Sequence, residues 1–87
     1  MHTEAYTAVL DKVLPVVVRV HGGHHPELKD ILSRYETLRE NLRTGASCKE
    51  VAAQIEELTD HFTLPADACE AYTKVYQALE ALVGAVE

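Results

Sequence analysis

The stretch LKDILSRYETLRENL, residues 28–42, decides the fold class of this chain. Its large apolar residues recur at intervals of three and four, the spacing that places side chains on one face of an α-helix. Most of the residues between them are polar or charged and suit a solvent-facing side. The stripe therefore predicts an amphipathic helix with one buried face: Leu28, Ile31, Tyr35, Leu38 and Leu42.

Three other segments, separated by glycine and proline, have a related pattern. The third and fourth segments carry stripes at helical spacing: Val51, Ile55, Leu58 and Phe62, then Tyr72, Val75 or Tyr76, Leu79, Leu82 or Val83, and Val86. The first, from about Thr3 to Val20, contains Pro15 and several β-branched valines, so a strand through Val16–Val20 is an alternative on propensity. A lone strand would have no partner in this chain, and we therefore predict a helix.

The turns between these segments carry helix signals. Gly45 is a good helix stop, and Pro26 and Pro65 suit the first turn of a helix. The run Ser47-Cys48-Lys49-Glu50 is a capping box, in which the serine hydroxyl accepts the N–H of Glu50. Four helices joined by short turns predict an all-α, antiparallel up-down-up-down four-helix bundle, with residues 1–87 as one domain.

The formal net charge of −6 argues against nucleic acid or an anionic membrane as a partner, because both attract basic surfaces. No apolar run approaches the roughly 18 residues that a membrane-spanning helix needs. Two cysteines in 87 residues are too few for a disulfide scaffold and fit a reducing compartment. We therefore expect a cytoplasmic domain that binds neither nucleic acid nor membrane.

Four of the five histidines fall in two of the turns. In the predicted topology the first and third turns lie at the same end of the bundle, so these four histidines share an end: His21, His24, His25 and His61. Imidazole is the commonest ligand for zinc, copper and nickel, and this grouping makes the four residues candidate metal ligands. The alternative is that they are solvated corner residues, because four loop histidines match no recognised zinc spacing.

The same turns resemble those of a known family. The segments VHGGHHPEL (20–28) and ELTDHFTLPADAC (57–69) are very like the segments that begin the second and fourth helices of the hemerythrin-like di-iron proteins that repair iron–sulfur clusters. The similarity covers roughly residues 19–82. It implies a hemerythrin-like bundle, truncated in this chain. In the family, the bundle holds a di-iron centre that serves cluster repair.

The iron ligands of that family are not matched here. The resemblance implies a histidine early in helix one, a histidine and a glutamate late in helix two, a histidine at the start of helix three, and H-x-x-x-E late in helix four. Thr44-Gly45 and the following Gly45-Ala46-Ser47 turn stand at the helix-two and helix-three positions, and residues 83–87 contain no H-x-x-x-E. His2 alone lies near the helix-one position. A carboxylate-bridged di-iron site needs several such ligands, so we expect neither that site nor its repair activity.

The remaining reactive side chains have two interpretations each. Cys69 is predicted just inside the fourth helix, where we favour a small core residue over a redox thiol. Tyr35, Tyr72 and Tyr76 could form a radical or cofactor box, but their helical spacing favours core aromatics with hydroxyls at the rim. No Ser/His/Asp or Cys/His spacing identifies a catalytic site, so we do not expect an enzyme.

Two functions follow from these residues. The first is a small helical binding or interaction domain that lacks the family's di-iron site and forms a homodimer or binds a protein partner. Small bundles often complete their core by pairing, and the valine-rich first helix would supply an apolar dimer surface. Its valines lie on more than one face of the helix: Val16, Val17, Val18 and Val20. The second is a metal-binding protein that has an iron-related stress role or holds zinc through the corner histidines.

Overall fold

The computed structural model describes residues 3–86, and within that range the chain forms four helices and no strand. They are α1 (Glu4–His21), α2 (Glu27–Thr44), α3 (Lys49–Leu58) and α4 (Glu70–Val86). The predicted all-α, antiparallel four-helix bundle is confirmed, and the valine-rich first segment is helical through Pro15. None of the helices in this range is both long and apolar enough to cross a bilayer.

The helices pack in a ring in chain order. Over residues 3–86, α1 contacts α2 and α4, and α3 contacts the same two helices, which leaves α1 and α3 on one diagonal of the bundle. A polar link joins α1 to α2: the hydroxyl of Tyr35 donates to Asp11 Oδ1 at 2.6 Å, and Arg39 Nη1 donates to the same oxygen at 2.7 Å. Burial, followed by the Asp11 carboxylate, raises the pKa of Tyr35, so its phenol stays protonated as the donor.

One hydrophobic core runs between the helices. The predicted stripes supply it, and their largest members are almost completely buried: Leu28, Ile31, Tyr35, Leu38, Ile55, Tyr72, Val75, Leu79 and Leu82. From α1, Leu10, Leu14 and Val17 complete it, at intervals of four and three. The three tyrosines are core residues as predicted, but the Tyr72 hydroxyl is buried rather than at the rim.

The α2–α3 corner confirms one predicted signal and corrects another. Gly45 has φ +80°, and the N–H groups of Gly45 and Ala46 both donate to the carbonyl of Asn41, which ends α2 in a left-handed cap. The predicted capping box at Ser47 is wrong. Cys48 occupies the N-cap position of α3 without a side-chain cap bond, and Ser47 Oγ lies 3.4 Å from the N–H of Lys49.

The segment before α4 differs from its predicted form. The helix begins at Glu70, so Pro65 and Asp67 precede it and neither lies in its first turn. Cys69 is likewise outside the helix and exposed, which overturns the prediction that it is a core residue. The longer connection leaves Asp67 and Cys69 free to meet side chains from the α1–α2 corner.

The chain leaves α3 through a left-handed turn. Asp60, His61 and Phe62 have φ of 52°, 53° and 62°, a conformation that L residues rarely adopt in succession. Buried Thr59 supports it: its hydroxyl donates to the Glu56 carbonyl and accepts the N–H of Phe62 at 3.1 Å. Phe62 then packs partly against the core, and this apolar contact offsets part of the backbone cost.

Candidate functional site

At one end of the bundle, the α1–α2 corner meets the segment before α4. His21, the last residue of α1, places its Nε2 3.2 Å from Sγ of Cys69. Sγ also accepts the N–H of Tyr72 at 3.4 Å, while the Cys69 carbonyl accepts the N–H of Thr73. Cys69 is therefore the N-cap of α4, with sulfur in the place that a hydroxyl or carboxylate oxygen usually takes.

A second side-chain pair joins the same two segments. His25 Nε2 lies 3.0 Å from Oδ1 of Asp67, and its Nδ1 lies 3.5 Å from a carboxylate oxygen of Glu27. The hydrogen bond to Asp67, and then the two nearby negative charges, raise the pKa of His25 above its usual value. The same bond lowers the pKa of Asp67. His25 is thus a cationic link between the two segments at mildly acidic pH.

Tyr72 lies beneath both histidines. Its ring makes edge contacts with the rings of His21 and His25, at centroid distances of 5.3 and 5.6 Å. The ring is fully buried, and its hydroxyl has no hydrogen-bond partner of ordinary geometry among residues 3–86. Burial raises the pKa of Tyr72, so this hydroxyl stays neutral. We call these five residues the histidine corner: His21, His25, Asp67, Cys69 and Tyr72.

The other predicted ligands lie apart from these contacts. His24 is exposed. The side chain of His61 is 76% exposed, and its Nδ1 pairs with Glu56 at 2.9 Å. His2 lies outside the described residues. Within residues 3–86 the four candidate ligands are not brought together at one point, and the metal site remains a prediction.

The side-chain contacts determine whether these residues can bind one metal ion together. Within residues 3–86, no three His, Cys, Asp or Glu side chains are grouped as a metal ion requires. The carboxylates around His25 illustrate why, because Asp67 and Glu27 lie at opposite ring nitrogens and do not converge on one point. The histidine corner is a set of paired side chains.

A second feature lies along one flank of α1, next to its core-facing side. Valines recur there at intervals of four, three and four, the spacing of a helix–helix seam. We call this set the valine stripe: Val9, Val13, Val16 and Val20. Val9, Val16 and Val20 are 37%, 41% and 64% exposed, whereas Val13 also packs partly against the core. The stripe ends beside the histidine corner, because Val20 precedes His21.

Sequence reasoning missed two parts of the corner. Asp67 was not among the predicted site residues, but it binds His25. Cys69 was predicted to be a core residue, but it faces His21. The feature of the sequence that could have indicated these contacts is the length of the connection after Pro65. With the helix starting later, PADAC becomes an ordered loop whose polar side chains face the neighbouring corner.

Comparison with models of known protein families, with curated proteins and with solved structures found no significant match for this chain. The resemblance to the hemerythrin-like repair family thus rests on the two quoted segments alone. The proposed function below therefore depends on the fold and on the side-chain contacts.

Proposed function

We propose that this chain is a non-enzymatic helical interaction domain that pairs with a second copy of itself through the valine stripe. Under this proposal, the chain has a four-helix bundle like that of the repair family but lacks the di-iron chemistry of that family. Both cysteines are free thiols, which accords with a cytoplasmic location as part of the same proposal.

The valine stripe carries this proposal. Water-exposed valines along one face of a helix are apolar area that a neighbouring helix can cover. The core of this small bundle already takes the adjacent face of α1 through Leu10, Leu14 and Val17, which lies about 100° around the helix from the stripe. The stripe is therefore a second apolar face on the same helix, next to the buried one. Its intervals of four, three and four are those at which a second helix packs side by side.

A second copy is the occupant that the pattern favours. The stripe is continuous along α1, so two antiparallel copies related by a two-fold axis place valine against valine along its length. Three exposed valines cover much less than the ~800 Å² per partner of a standard interface. We therefore expect weak, concentration-dependent self-association.

Sedimentation equilibrium over a wide concentration range tests the proposal. Val16→Lys places a charge at the centre of the stripe and should weaken the dimer at least about tenfold, because the ammonium would be buried unpaired. Ala53→Lys adds the same charge at an exposed site of α3 and should leave association unchanged. A wild-type chain that stays monomeric at every concentration, or equal effects of the two variants, would exclude this function.

The alternative function is a metal-binding protein with iron or zinc held by the corner histidines. The observation in its favour is that His21 and His25 lie against one tyrosine, with Cys69 and Asp67 at hand. Metal analysis of protein purified without a histidine tag tests it. Near-stoichiometric metal that is lost in the folded His21→Ala/His25→Ala variant would support this alternative, and metal retained by that variant would exclude these two histidines as its ligands.

A further inference from the structure

Cys69 stands out among the side chains that the interaction proposal does not use. Its thiol is exposed, lies 3.2 Å from the imidazole of His21, and accepts the N–H of Tyr72 from the first turn of α4. Both neighbours are placed to assist a reaction at the sulfur. The imidazole can take the thiol proton, and the N–H group, with the positive end of the helix dipole, stabilises the negative charge.

The second cysteine of the chain provides an internal reference. Cys48 also lies at a helix N-terminus, but it is only 7% exposed. Its Sγ approaches the carbonyl oxygens of Ala46 and Leu38, at 3.7 and 3.9 Å, and these acceptors favour the protonated thiol. Burial raises the pKa of Cys48. The two thiols therefore differ in their access to solvent and in the presence of a neighbouring base.

The position of the imidazole is fixed by packing. His21 ends α1, and its ring lies edge-on to the buried ring of Tyr72 in the first turn of α4. Tyr72 therefore contributes twice, since its backbone N–H reaches Sγ and its ring supports the histidine. The thiol and the imidazole are held together by two helices that pack side by side, α1 and α4.

We propose that Cys69 and His21 form a reactive thiol–imidazole pair, a modification site that exchanges with small-molecule disulfides to give a mixed disulfide at Cys69. The Sγ proton passes to Nε2 of His21. The thiolate attacks one sulfur of the small disulfide, a new S–S bond forms, and the original S–S bond breaks. The departing thiolate takes up the proton, so Cys69 is oxidised and half of the small disulfide is reduced.

The mixed disulfide has no partner for internal resolution. The chain has two cysteines, and Cys48 is buried at the α2–α3 corner, away from the histidine corner. The modification should therefore persist until an external thiol removes it. It adds bulk next to His21, beside the end of the valine stripe.

Kinetics of thiol–disulfide exchange on the native chain test this inference. An aromatic disulfide that releases a coloured thiolate gives the rate, and mass spectrometry after glutathione disulfide gives the site. A peptide of residues 65–72 has the same thiol without His21 and serves as the matched control. We expect Cys69 to react at least about tenfold faster than the peptide at about pH 6, and the rates to converge near pH 9.5, where most thiols are ionised.

Single substitutions show which residues are responsible for the fast exchange reaction. Cys69→Ser should abolish the fast phase, Cys48→Ala should retain it, and His21→Gln should slow it about tenfold at pH 6 without changing the rate at pH 9.5. Circular dichroism shows whether His21→Gln is folded; if it is not, the comparison of wild type with the peptide decides. A native rate at pH 6 no higher than that of the peptide, an unaltered rate in folded His21→Gln, or modification at Cys48 would overturn the proposal.

Discussion

The two ends of this bundle are closed in different ways. At the α2–α3 corner the backbone closes the turn, through the left-handed Gly45 and its bonds to Asn41, and Cys48 is buried against it. At the other end, titratable side chains connect two loops, as His21 meets Cys69 and His25 meets Asp67. The first end depends on chain conformation, which does not respond to pH, whereas the second depends on charge and on a reactive sulfur.

The largest expected effect lies at the backbone-closed end. Gly45→Ala forces a Cβ into φ +80°, and the left-handed conformation costs about 1–2 kcal/mol for a residue with a side chain. Gly23→Ala is the matched control at the other end, because it has ordinary φ and no atom within 4 Å of the new Cβ. Urea unfolding should show a loss of stability for Gly45→Ala alone. Equal losses of stability in both variants would mean that the left-handed conformation of Gly45 does not distinguish the two ends of the bundle.

Cysteine-to-serine substitutions sharpen the contrast. Cys48→Ser buries a hydroxyl in place of a thiol and should cost about 1 kcal/mol, moderated because the carbonyls of Leu38 and Ala46 can accept a hydrogen bond from the hydroxyl. Cys69→Ser should be close to neutral, since the residue is exposed and serine is a favoured N-cap. The free energy of unfolding from urea titration provides the comparison. A larger loss for Cys69→Ser than for Cys48→Ser would contradict the assignment of buried and exposed thiols.

The sequence was sufficient to predict elements governed by periodicity. The stripe from Leu28 to Leu42 and the helix stop at Gly45 are read from local spacing and glycine chemistry, and both were confirmed. The predicted start of α4 was wrong, because Pro65 is equally compatible with a helix start and with the loop that the structure shows.

The candidate site was harder to predict for a related reason. The contacts of His21 with Cys69 and of His25 with Asp67 join residues more than 40 positions apart, and no periodic pattern encodes such pairs. Grouping histidines by their turns found the right end of the bundle for His21 and His25. The same grouping did not predict that His21 pairs with a cysteine and His25 with an aspartate.

The smallest expected effect is the pH dependence of the side-chain-closed end. The pKa of His25 is raised above its ordinary 6.5 by Asp67, so the pair stabilises the folded chain below pH 6.5 and loses this contribution as pH rises through the raised value. The pKa of Asp67 is lowered from 3.8, so the contribution is also lost as acid titrates that carboxylate. Asp67→Asn should therefore destabilise the chain at about pH 5.5 and have little effect at about pH 8.5.

The effect should be small because the Asp67 side chain is 61% exposed and solvent screens the pair. Urea unfolding at both pH values measures it, and an NMR titration of the His25 ring gives the pKa directly. Glu56→Gln, which removes the carboxylate beside His61, is the matched control, and we expect it to change the pH dependence less because that imidazole is 76% exposed. An Asp67→Asn effect of the same size at both pH values would show that Asp67 acts through packing or loop conformation, and that charge does not distinguish the two ends of the bundle.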